Sequence, residues 1–250
     1  GINQRIYSKS YRKYAGKYNL YFYGTVNCES GTVTVATLEI NFAKEEAVTM
    51  KIATSEGGEK LYYGDLQISE MSPNVFIVLN SDFGEQVSLT FYDEPMNCET
   101  FQCAVGAMLS ISAGDLKRAP VLNRFIITGY DVDEAHMKFI KAHLKLNTKY
   151  IDISPEMLST SVEGVFGKCE MADRITDRLK KAFYSKRYYA IEDSFIVNTL
   201  RKDENLSLRQ VDELIAELRN NSLSNINFKI NKSLDSTVYR CTNPKNISQE

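Results

Sequence analysis

The chain has no apolar run approaching about 18 residues, so it offers no membrane-spanning helix, and it shows no secretory signal peptide. Cysteine is scarce and unpaired. Cys28, Cys98, Cys103, Cys169 and Cys241 make an odd number with no C-x-x-C, which argues against a disulfide framework and against a zinc site. A reducing, cytoplasmic setting is the simplest reading. Only two histidines are present, His136 and His143, and neither H-E-x-x-H nor a nearby third ligand accompanies them. The phosphate-binding patterns G-x-x-x-x-G-K-[ST] and G-x-G-x-x-G are missing, as is the nucleophile elbow G-x-S-x-G. The carboxylate pairs Glu45-Glu46, Asp93-Glu94 and Asp203-Glu204 all fall at turns, where such pairs are solvated. No catalytic residue, metal ligand or cofactor is assigned, and the chain reads as a non-enzyme, with an active site scattered in sequence as the rival reading.

What the sequence does contain is a long alternating region from Gly16 to Thr128. Eight β-prone segments follow one another there: 18–24, 32–42, 47–53, 60–69, 74–80, 85–92, 100–112 and 120–128. Turn residues separate them, among them Ser30-Gly31, Gly57-Gly58, Ser72-Pro73, Asp82-Phe83-Gly84 and Ala113-Gly114-Asp115. Their number and spacing predict an antiparallel up-and-down barrel or a two-sheet sandwich, and a barrel of that size holds either packed side chains or one small ligand.

After Thr128 the hydrophobic period lengthens. Asp131 and Glu134 have the spacing of a capping box, and His136, Phe139, Ile140, His143 and Leu144 share one helical face, making both histidines core or interface residues. Ser154-Pro155 predicts a helix start, with helical spacing up to Gly167. A further helix is expected from Glu170 to Lys186, its Arg174, Arg178 and Lys181 read as a face paired with Glu170, Asp173 and Asp177. Residues 189–197 read as a strand, with a run-on into a short helix as the alternative, Ser207 and Gln210 as a capping box, and 225–230 as a strand. Residues 191–242 could be drawn as a winged helix, but its candidate recognition helix carries Asp212, Glu213 and Glu217, a poor surface for phosphates.

Charge is uneven. Residues 1–17 carry five Lys or Arg and no acid, while 18–128 carry six basic against fourteen acidic residues. The expected organisation is an α+β chain with a linker over 1–15, an antiparallel up-and-down barrel over 16–128, a mainly helical domain with one or two short strands over 129–242 and a polar tail over 243–250. Fifteen tyrosines are present, and Tyr11, Tyr14, Tyr18, Tyr21 and Tyr23 crowd the first strand, where such rings either fill a core or line a pocket.

Several stretches carry a resemblance: Tyr14-Ala15-Gly16-Lys17-Tyr18, Lys60-Leu61-Tyr62-Tyr63-Gly64, Ser112-Ala113-Gly114 with Pro120 and Arg124, His143 to Asn147, and Lys229-Ile230-Asn231-Lys232 with Asp235 and Tyr239. Together they resemble the C-terminal region of Firmicutes transcriptional regulators that begin with a Cro/repressor-type helix-turn-helix. The resemblance implies a sensing or dimerising region, with DNA bound only through an N-terminal domain preceding this chain, whose first residue is Gly. Gly16, Tyr18 and Arg124 are also placed like the first-strand and last-strand residues of lipocalin-like barrels, with Tyr where those have Trp. That likeness and barrel closure imply that Tyr18 and Arg124 meet, and Tyr18, Tyr21, Tyr62 and Arg124 are the candidate ligand-binding residues. A stand-alone ligand-binding barrel, or a nucleotide-sensing barrel of the antiphage type, is the alternative. The acidic balance counts against the nucleotide. A small molecule or a protein, a homodimer partner included, is the expected partner, and no membrane is.

Overall fold

The computed structural model describes residues 9–25, 32–54, 57–69, 71–72, 74–92, 100–112, 118–146, 150–185, 187–223 and 228–229. Eight antiparallel strands follow in chain order: β1 (Gly16–Tyr23), β2 (Val33–Ile40), β3 (Val48–Ala53), β4 (Glu59–Ile68), β5 (Asn74–Asn80), β6 (Gln86–Tyr92), β7 (Cys103–Ile111) and β8 (Pro120–Thr128). Each pairs with the next, and β1 pairs with β8 from Asn19↔Thr128 to Phe22↔Phe125, closing an up-and-down barrel. The barrel alternative is therefore the one realised, with strand bounds within three residues of those expected.

Period-2 alternation sends Tyr18, Leu20 and Phe22 of β1, Leu38 and Ile40 of β2, Ile77 and Leu79 of β5, and Phe125 and Ile127 of β8 into one interior core. Two glycines make room where the wall is tightest. A Cβ on Gly64 would lie 1.9 Å from the carbonyl oxygen of Val78, and one on Gly106 would lie 2.5 Å from the Phe125 ring. Both positions need the missing side chain for close approach.

One barrel end is plugged by the chain's own start. The short helix α1 (Lys9–Arg12) leads to Tyr14, 1% exposed, whose ring packs on Phe91 and Phe101, while the Tyr11 hydroxyl accepts the Ile68 N–H. Residues 9–14, expected as part of a linker, are thus barrel structure, because their tyrosines bury more area against the open core than in water.

Beyond β8 lie α2 (Met137–Leu144), β9 (Tyr150–Ile153), α3 (Pro155–Phe166), α4 (Glu170–Leu179), β10 (Phe183–Ser185), β11 (Tyr188–Glu192), α5 (Asp193–Asp203), α6 (Leu208–Asn220) and β12 (Phe228–Lys229). β10, β11 and β9 form a small antiparallel sheet in that order, and a second core joins Ile151, Ile153 and Ile191 to residues of α3, α4, α5 and α6. The Ser154 cap with Pro155 behind it and the Ser207–Gln210 capping box both form. No helix among the described residues is long and apolar enough to cross a membrane.

Four local expectations are corrected. The Asp131–Glu134 box does not form, because the Asp131 carboxylate accepts a hydrogen bond from Asn19 of β1 at 2.8 Å and α2 starts only after His136. Both histidines are exposed, His136 bonded to Asp133 and His143 to the Phe139 carbonyl. The helix expected to reach Lys186 stops at Leu179, since the aromatic run around Phe183 and Tyr189 pairs as a hairpin, and the strand read over 189–197 ends at Glu192 and runs on into α5, as its alternative allowed. The winged-helix drawing of 191–242 fails because β12 pairs with barrel strand β8, Phe228 opposite Leu122. Residues 224–227 and 230–242 of that drawing, and the tail from 243, lie outside the described residues.

Helix α2 is the contact between the two cores. Its Ile140 and Leu144 pack on Tyr21, Tyr23 and Ile126 of the barrel's outer wall, and the Tyr23 hydroxyl donates to the Lys141 carbonyl at 2.9 Å. On its other side Asn220 of α6 donates to the Lys138 carbonyl at 3.1 Å. Lys145, just past α2, places its ammonium against the Arg219 and Asn220 carbonyls at 2.6 and 2.5 Å, capping the negative end of the α6 dipole.

Candidate functional site

Among the described residues, the barrel end opposite the plug leads into a cavity of about 650 Å³. Its floor is apolar, formed by Phe22, Met50, Val87 and Met108, whose side chains point inward by strand alternation. Its mouth is polar. The β3–β4 hairpin brings Lys60 and Tyr62, the β5–β6 turn brings Glu85, and the segment entering β8 brings Arg118.

Glu85 is the centre of that mouth. The turn holding it is fixed by Gly84 at φ 77° and by the Glu85 N–H donating to the Ser81 hydroxyl at 3.1 Å. Its carboxylate accepts the Tyr62 hydroxyl at 2.7 Å, lies 3.4 Å from the Lys60 ammonium, and pairs with the Arg118 guanidinium. Burial opposes ionisation of this carboxyl. The Tyr62 hydrogen bond and the Lys60 and Arg118 charges outweigh it and hold its pKa below the usual carboxylate range. The Tyr62 phenol is pushed well above its ordinary range by burial first and by Glu85 second. Among the described lining residues, two cations face this one carboxylate. Asn123, 1% exposed, completes the wall: its amide donates to the Tyr23 carbonyl at 3.1 Å, while its buried Oδ1 has no hydrogen-bond partner among the described residues. An orphaned acceptor of this kind costs about 1–3 kcal/mol and marks a place where a donor is missing.

Of the four residues expected to bind a ligand, only Tyr62 lines this cavity. Tyr18 is interior but at the plugged end, where its hydroxyl donates to the Tyr14 carbonyl at 2.8 Å. Tyr21 points out of the barrel and is covered by α2. Arg124 also points outward, and its guanidinium donates to the His143 carbonyl at 3.3 Å. The expected meeting of Tyr18 and Arg124 does not occur. Their strands are neighbours, but the register continues from Phe22↔Phe125 to set Arg124 beside Tyr23, roughly 17 Å along the sheet from Tyr18 at about 3.3 Å per residue. Alternation then puts the two side chains on opposite faces.

Lys60, Glu85 and the pair Arg118 and Asn123 escaped the sequence reading because they sit on three separate hairpins, up to 63 positions apart. The available signal was weak: Lys60 and Asn123 are polar residues at inward positions of strands otherwise apolar on that face. No group of three or more potential metal ligands occurs among the described residues. Comparison with protein-family models, curated proteins and solved structures finds no match for this chain.

Proposed function

We propose that the barrel is a sensing module that binds one small amphipathic molecule, its apolar body on Phe22, Met50 and Met108 and its anionic or hydrogen-bonding head between Lys60 and Arg118. The observation that carries this reading is the 650 Å³ cavity with an apolar floor and a charged mouth, a size and chemistry typical of small-molecule sites. The path from its wall outward supports sensing over mere carriage. Asn123 bonds the Tyr23 backbone, the Tyr23 hydroxyl bonds α2, and α2 bonds α6, so a change at Asn123 has packed, hydrogen-bonded groups to act through. On the resemblance to regulators, such a sensor would serve transcriptional control in the cytoplasm.

The test uses 1-anilinonaphthalene-8-sulfonate, an anionic apolar dye, with the full chain. Saturable fluorescence enhancement at one site per chain is expected, abolished by Thr34→Trp, which fills the cavity mouth, and weakened by Arg118→Glu. Enhancement unchanged in both folded variants would show that the dye binds elsewhere and would overturn the reading.

A further inference from the structure

The helical unit contains a second candidate site, independent of the cavity. Helices α3 and α4 are joined by the three residues Gly167-Lys168-Cys169, with Gly167 at φ 74°, the positive value that glycine adopts without strain. Two helices linked by a three-residue, glycine-containing turn make a helix-turn-helix, whose second helix is the one presented to DNA. The β10–β11 hairpin follows directly, as the wing does in winged-helix proteins, and β9 completes its sheet.

Fold alone does not assign a function, so the charge distribution decides. Among the described positions 174–185 and 187, Arg174, Arg178, Lys180, Lys181 and Arg187 stand against the single acid Asp177, in a chain whose net charge is −2. Arg174 and Arg178 are set in place by the buried carboxylate of Glu204, at 3.5 and 2.7 Å from their Nε atoms. On the hairpin beside them, Phe183 is 71% exposed and Tyr184 53%, large rings that a folded chain leaves in water at a cost. Interleaved cations and exposed aromatics suit phosphates and base or sugar faces together. Glu170, Asp173 and Asp177 also lie on α4. Glu170 is bridged by Arg174 at 3.4 Å and Asp177 by Lys180 at 3.3 Å. Glu170 and Asp173 keep the first turn of α4 away from phosphates and direct contact to the hairpin and to the last turn, where Asp177 is paired with Lys180.

We propose that the C-terminal end of α4 and the β10–β11 hairpin bind duplex DNA, so that a DNA-binding element lies within this chain. Binding is dominated by backbone contacts and is therefore strongly salt-dependent. The experiment is fluorescence anisotropy of the full chain with a labelled duplex of about 25 base pairs. Micromolar binding is expected at about 50 mM salt, weakening roughly 100-fold by about 200 mM, as neutralising about four phosphates requires. The K180E/K181E/R187E variant should lose at least about 10-fold in affinity, and Phe183→Ser a smaller factor, with helical circular dichroism retained, whereas K138E/K141E on α2 should bind like the parent. No binding at low salt would overturn the proposal. So would equal loss in the α2 variant, displacement by polyglutamate as readily as by duplex, or tighter binding of a single strand than of a duplex.

Discussion

Tyr62 and Glu85, 23 positions apart, share a 2.7 Å hydrogen bond across the mouth of the barrel, the phenol donating and the carboxylate accepting. The bond ties the β3–β4 hairpin to the β5–β6 turn at the level where the cavity opens. Because the carboxylate is mostly shielded and also faces Lys60 and Arg118, its ionised state is favoured by the fold.

Acid sensitivity follows with a definite sign. A carboxyl whose pKa is lower folded than unfolded stabilises the fold above its ordinary value of 4.5, and that contribution is lost as pH falls below it toward the folded value. Glu85→Gln should therefore cost about 1–2 kcal/mol at neutral pH and flatten stability against pH below 4.5. Urea midpoints measured from pH 3 to 7 check both, and parallel curves for parent and variant would refute the assignment.

Lys145 gives the opposite limb. Burial pushes its pKa down from 10.5 to about 8, so between those values the unfolded chain binds the extra proton and stability gains with rising pH. Over pH 8 to 10 the parent should gain stability relative to Lys145→Met, which has no proton to lose. Thermal melts of both proteins in matched buffers read the difference, and an identical pH dependence counts against it.

Gly64→Ala should destabilise by about 1–3 kcal/mol, since its Cβ would meet the backbone of a neighbouring strand, which yields less readily than a side chain. A surface glycine such as Gly57, open on all sides, provides the reference, though its φ of 80° adds a smaller strain of its own. Equal losses at the two positions in guanidinium denaturation would contradict the tight approach of β4 and β5.

Arg124→Ala should cost about 0.5–1.5 kcal/mol, the worth of a hydrogen bond to a helix C-terminus. It should leave dye binding in the cavity unchanged, because the side chain lies on the outer wall. A lost cavity site in a folded Arg124→Ala protein would show that the wall transmits more than this geometry allows.

The barrel was legible because β-strand alternation and turn chemistry are local. Asn74–Asn80 and Pro120–Thr128 match their expected bounds, and the two serine caps of α3 and α6 were readable from three or four residues each. The cavity mouth was not legible, because Lys60, Glu85 and Arg118 become neighbours only through barrel closure and turn geometry. The Tyr18–Arg124 error has a different origin: strand adjacency was inferred correctly, but register and facing direction depend on the stagger of the closed sheet, which alternation alone does not fix. The hairpin after α4 was missed because the lysines and arginines around Phe183 and Tyr184 extend a helical pattern, and only pairing with Tyr188 and Tyr189 decides against it.

The pairing of β12 with β8 bears on how the molecule is made. β1 covers the last four residues of β8, while Val121 and Leu122 wait for Lys229 and Phe228, more than 100 positions later. On a ribosome adding residues from the N-terminus, the barrel can close long before that remaining stretch of strand edge finds its partner. During the interval the nascent protein exposes an unpaired edge beside an otherwise finished barrel, the surface on which a chaperone or a second nascent copy would first act.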